Sequence, residues 1–140
     1  MRIYIPAVPA DLVKRCPPLT RAVAATNQFQ RDHHIEQWTE EDYESLAMDV
    51  AAGMSATLGA GARVVLAADA DIKEEGSGIV TYQALDWSDV VSIHADGVEG
   101  RGLIAAADFE SLEVEPLEWY DISERDYLAK LLCADANPHP

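Results

Sequence analysis

The chain has 140 residues, of which 25 are acidic and 10 basic, for a net charge of −15. That length suits one domain with its own hydrophobic core, and an apolar fraction of 49% excludes wholesale disorder. The charge excludes direct binding of nucleic-acid phosphates or anionic membrane surfaces, because both are held mainly through Lys and Arg.

In chain order, residues 2–7 read as a strand, with Ile3 and Ile5 on one side and Tyr4 on the other. Pro6 should end its regular pairing, since proline has no N–H to donate to the ladder. A strand that starts so early is expected well inside the sheet. Residues 9–15 suit a short helix with proline in its first turn and with Leu12 and Val13 facing inward. Thr20 can cap a turn or two over residues 21–25, and residues 27–34 read as polar, exposed loop.

The strongest local signal is residues 39–58. Tyr43, Leu46, Val50, Met54 and Leu58 recur at helical spacing, with Ala47 and Ala51 beside them, and predict one buried stripe. Thr39 is the expected N-cap. Glu40, Glu41 and Asp42 complement the helix dipole, and Gly59 and Gly61 stop the helix. Trp38 and Tyr43 have the spacing of a hydrophobic staple. The same grammar recurs at Ile122, Ser123 and Tyr127, and it predicts a second capped helix over residues 124–132 that buries Leu128, Leu131 and Leu132.

Residues 63–69 form a continuous apolar run, expected as the middle strand of a sheet covered on both faces. Residues 73–78 read as a turn-rich loop, 79–85 as a strand, 86–89 as a turn and 90–94 as another strand. Residues 97–102 should break the chain before a short Ala-rich helix over 103–109. Leu112 and Val114 alternate with Glu113 and Glu115 up to Pro116, residues 119–122 suit a short strand, and residues 137–140 should fray. The order predicts an α+β or α/β fold: one single-layered mixed sheet of four to five strands packed by three to four helices, in a single domain spanning 1–140.

Met1 to Ala7, Val64 to Asp69, Val91 to Asp96 and the pair Trp119–Tyr120 resemble, in the same order, a family of uncharacterised small bacterial proteins of actinobacterial type. The resemblance implies a stand-alone cytosolic domain and transfers no catalytic residue. A cytoplasmic location also fits the other signals. No run approaches the roughly 18 apolar residues of a membrane span. The first residues lack the apolar core of a signal peptide, and Cys16 and Cys133 form neither a metal spacing nor a disulfide framework.

Candidate chemistry gathers at two strand ends. Asp69 and Asp71 follow one strand, while His94 and Asp96 close another, and residues two apart on extended chain point the same way. Parallel neighbouring strands would bring all four to one edge, where three carboxylates and an imidazole suit a divalent cation or acid–base work, with His94 and Asp96 as catalytic candidates. Antiparallel strands would put the pairs at opposite ends, leaving the aspartates as ordinary turn and cap residues. The stretch Asp69–Lys73 fails as a calcium loop, because Lys73 and Glu74 stand where a ligand and the glycine are needed. His33 and His34 beside Asp32 and Glu36 read as solvated, Cys16 as an inert thiol, and Trp38, Trp87 and Trp119 as boundary residues that close the core.

Charge is also uneven along the chain. Residues 1–70 carry 6 basic and 9 acidic side chains (−3), and residues 71–140 carry 4 and 16 (−12). By itself that charge suits solubility, and more sharply a basic partner or mimicry of a nucleic acid. The function expected is a small acidic, non-enzymatic binding or interaction module without a cofactor, a monomer or a homodimer, that uses this half against a basic protein partner. The alternative is a metal-assisted, hydrolase-like enzyme using a divalent cation at Asp69, Asp71, His94 and Asp96.

Overall fold

A computed structural model describes residues 1–136. Its centre is β1 (Arg2–Ala7), which pairs along its whole length with β3 (Val64–Asp69), from Arg2↔Asp69 to Ala7↔Val64. The other strands are β2 (Ala22–Val23), β4 (Ile72–Gly76), β5 (Ile79–Tyr82), β6 (Val90–Ala95) and β7 (Glu118–Asp121). All seven form one sheet in the order β4-β5-β2-β1-β3-β6-β7, and every pairing is antiparallel. The sheet thus has more strands than the four to five expected, and it is not mixed. The middle strand is β1, with the 63–69 run beside it.

The apolar run of β3 is buried on both faces, as its composition predicts. Helices on both sides of an antiparallel sheet achieve that here. One face carries α1 (Asn27–Asp32) and α2 (Glu40–Ala56), packed on Tyr4, Val23, Val65 and Ala67. The other buries Ile3, Ile5, Val64, Leu66 and Ile93 under α5 (Arg125–Ala136) and a 3-10 turn at Pro9–Val13. Between β6 and β7 lie α3 (Val98–Ala105) and α4 (Phe109–Glu113).

Ala70 and Asp71 alone join β3 to β4, so those strand ends lie within about 11 Å of each other, three Cα steps. In a flat sheet four strand spacings would separate them by about 19 Å. The sheet therefore coils, and a bulge between Ala67 and Ala68 marks where β3 meets β6.

The central helix begins where expected. Thr39 Oγ1 accepts the Asp42 N–H at 3.4 Å, Asp42 Oδ2 accepts the Thr39 N–H at 2.8 Å, and the Trp38 and Tyr43 rings meet edge-on at 5.2 Å. Its buried row differs from the expected one. Tyr43, Ala47, Ala51 and Ser55 lie innermost, Leu46, Val50 and Met54 form a half-buried flank, and Leu58 is exposed beyond the helix end. Small side chains let the helix axis approach the sheet closely, while the larger ones fill the gap beside it. Ser55 joins the two layers: its hydroxyl donates to Ala7 O at 2.7 Å and accepts the Val64 N–H at 2.9 Å.

Several local expectations are corrected. Residues 27–34 contain α1, capped by Thr26, because Phe29 is fully buried and pulls the segment inward. Residues 22–23 are strand, and Val13 is exposed. The stretch 73–78 is half of a β4–β5 hairpin, closed by Ser77 and Gly78 at positive φ, a two-residue turn that matches strand twist. Pro6 does not end β1, because β2 stops short of it and no strand on that side needs its N–H. Residues 109–113 are helical, so Leu112 is buried while Val114 is exposed. The second staple does not form. Asp121, not Ser123, caps a 3-10 turn at Ile122–Glu124 ahead of α5, which leaves Tyr127 exposed. The tail expected to fray, 137–140, lies outside the described residues.

Candidate functional site

The antiparallel pairing of β3 and β6 separates the four strand-end candidates. Asp96 closes on Arg63 at the start of β3, and Asp69 lies six residues further on, about 20 Å along the strand. Asp69 and Asp71 border a cleft of about 760 Å³ where the coiled sheet brings β3 and β4 together; Lys73, Tyr82 and Asp89 also line it. Asp69 is engaged by Arg2, whose Nε donates at 2.8 Å, and that hydrogen bond holds the carboxyl below the usual carboxylate range. Among the described residues, no group of three or more His, Cys, Asp and Glu side chains is arranged to hold a metal ion.

Asp96 is wholly buried, and its carboxylate is the anchor of a strut. It accepts from the Arg63 backbone N–H at 2.7 Å, from Nη2 at 2.7 Å and from Nε at 3.0 Å, while Arg63 Nη2 also donates to Glu115 O at 2.9 Å. Arg101 Nη1 donates to Asp96 O at 3.0 Å. These bonds lock the β3–β6 end against the α3–α4 segment. This also explains why α3 runs through residues expected to break the chain. Gly100 is buried in it, and a Cβ there would fall on the Asp96 carboxylate, 2.6 Å from Cγ.

His94 stands across from Val65 and Trp119 on the same face as α2. Its Nε2 lies 2.9 Å from Ser92 Oγ. Burial, and secondarily the charge of Arg2, push its pKa below the ordinary imidazole value. Nearby on that face, Tyr4 Oη donates to Glu44 Oε2 at 3.1 Å, and burial raises the phenol's pKa. His33 is turned to Phe29, with Nδ1 3.0 Å from its carbonyl, and Asp32 accepts from Ser77 and Gln28. Neither forms a cation site with His34.

The most distinctive surface narrows the acidic C-terminal half to one edge of the sheet, a placement that sequence reading missed. Residues 108–126 carry eight carboxylates and one cation, Arg125. That cation is turned away: its Nη1 donates to Leu12 O at 2.7 Å, and its guanidinium lies 4.3 Å from the centroid of the Trp87 ring. Among the described residues, none of the eight carboxylates is ion-paired. Within this segment lies β7, the last strand of the sheet, bonded among the described residues to β6 alone and carrying Trp119 at 62% exposure. Of the three tryptophans, Trp38 packs on Tyr43 and Trp87 Nε1 donates to Lys14 O, whereas Trp119 closes no core. The count of acids was available in the sequence, but the free edge beside the indole was not.

Fold and surface together define a single α+β domain with a coiled antiparallel sheet, a buried ionic strut at one end and an acidic edge strand. No helix in the described residues is long and apolar enough to cross a membrane. The chain belongs to the family of unknown function DUF6912, whose model matches residues 1–129. No curated protein and no solved structure matches it.

Proposed function

We propose that the protein is a small acidic, non-enzymatic interaction module of the bacterial cytoplasm that binds a basic protein partner through its C-terminal half and needs no cofactor. The observation that carries this reading is the set of eight carboxylates over residues 108–126, none of them ion-paired among the described residues, whose single cation is turned to Leu12 O and the Trp87 ring. A surface rich in charge of one sign raises the local concentration of oppositely charged partners and speeds their capture. The same field disfavours nucleic-acid phosphates. A homodimer would have to join through other surfaces, since two such strips repel. The metal-assisted alternative needs Asp69, Asp71, His94 and Asp96 in one site, and their separation along β3 gives it no support.

The test is calorimetric titration with a lysine-rich protein probe, histone H1, at rising KCl. Binding should weaken at least tenfold between about 50 and 300 mM salt, because exposed charges are screened over the Debye length. It should weaken comparably when Glu110, Glu113, Glu118 and Glu124 are all changed to Gln. Association unmoved by salt and by the quadruple change would sink the reading.

A further inference from the structure

We infer that the partner docks as an extended basic segment added to the free side of β7, with Trp119 as its anchor; this rests on the acidic-module reading and specifies how the contact is made. An open sheet edge presents a row of backbone donors and acceptors, and proteins blunt such edges with charge, shortness or cover. The two edges of this sheet differ. At β4 the charges are of both signs: Lys73 stands beside Glu74 and Glu75, Glu75 accepts from Arg21 at 2.9 Å, and Glu74 accepts from Thr26 at 2.6 Å and from the Gly78 N–H at 2.8 Å. Ile72, the apolar residue of that strand, is half-buried against the core. At β7 the charges are of one sign, and an indole 62% exposed stands among them. An exposed tryptophan does not protect an edge; it supplies contact area to whatever pairs there.

Charge decides the occupant. A second copy of this chain would bring two strips of eight carboxylates together, whereas a segment bearing Arg and Lys meets a carboxylate on either face of the strand. Glu118 lies on the face shared with Tyr120, and Asp121 on the face shared with Trp119. An arginine over the Trp119 ring adds a stacked cation to the backbone ladder. The four residues of β7 give about 13 Å of edge, enough for four residues of partner.

The experiment uses an acetylated, amidated eight-residue peptide of alternating Arg and Val, and the same peptide N-methylated at every residue, which keeps the charge and removes the donors. We expect the parent peptide to bind at low salt and to slow amide exchange across Glu118–Asp121. The methylated peptide should bind at least tenfold more weakly. Trp119→Ala should lose about fivefold or more in affinity with an unchanged melting temperature, since so exposed a side chain contributes little to the core. Equal binding of the two peptides, or protection that bypasses β7 while salt-sensitive binding persists, overturns the strand-addition mode and leaves the acidic-module reading intact. Absence of salt-sensitive binding by the parent peptide and by histone H1 overturns both.

Discussion

Arg63 and Asp96 form an ion pair at 2.7 Å in which the two side chains are 6% and 0% exposed. They flank opposite ends of a 33-residue excursion of the chain, and each also takes a backbone group from the other: Arg63 N–H donates to the carboxylate, and Asp96 N–H donates to Arg63 O at 3.1 Å. Replacing one partner leaves the other charged, buried and alone. Asp96→Ala should therefore cost about 3–5 kcal/mol of unfolding free energy. The urea midpoint of the variant checks this, and a loss below about 1 kcal/mol would mean that the strut is dispensable.

Two glycines of α3 should respond with opposite signs. At Gly102 a Cβ meets nothing within 4 Å among the described residues, so Gly102→Ala should stabilise by up to about 1 kcal/mol through helix propensity and a less flexible unfolded chain. At Gly100 the same methyl would collide with the Asp96 carboxylate, so Gly100→Ala should destabilise despite the identical gain in propensity. Melting temperatures of the two variants decide it; a shared sign would refute the close approach.

Ser55 is 1% exposed and holds one backbone carbonyl and one backbone N–H from two strands. Ser55→Ala strands both, and a buried group left unpaired costs about 1–3 kcal/mol. A loss of about 2 kcal/mol or more is expected in denaturant titration. Slowed exchange at Val64 in the wild type should vanish in the variant.

The alanine row of α2 is the surface that meets the sheet. Ala51→Leu should cost about 1–3 kcal/mol by overpacking at a fully buried position. A helix seated on its Leu46–Val50 flank would instead accept the larger side chain at little cost, so the urea midpoint separates the two arrangements.

His94 should make stability depend on pH in the neutral range. Its pKa is lowered in the fold, chiefly by burial, so the folded protein binds fewer protons there than the unfolded chain. That contribution is complete above the ordinary imidazole value of about 6.5 and is lost as the pH falls through the depressed value. Between pH 8 and pH 5.5 the melting temperature of the wild type should drop further than that of His94→Gln, with carboxylates common to both cancelling in the difference. Parallel curves would show that His94 titrates as it does in the open chain.

What the sequence determined by itself is local. The Thr39–Asp42 cap, the Trp38–Tyr43 staple and the run buried on both faces in β3 are legible because each is set by neighbours within a few residues, or by a solvent rule that every strand obeys. The early strand at Arg2–Ala7 was legible too, as a tied-down segment inside the sheet. Everything that rests on partners far along the chain was decided by the tertiary structure. Charged residues 73–75 became strand because residues 79–82 offered them a ladder, and α3 needs a glycine at residue 100 because Asp96 fills the space over it. The helix turned its alanines inward because the sheet lies close. The sense of pairing between β3 and β6 mattered most for function: it depends on loop paths and coiling rather than on side-chain pattern, and it carried Asp69 and Asp96 to opposite ends while leaving β7, with Trp119, at an open edge.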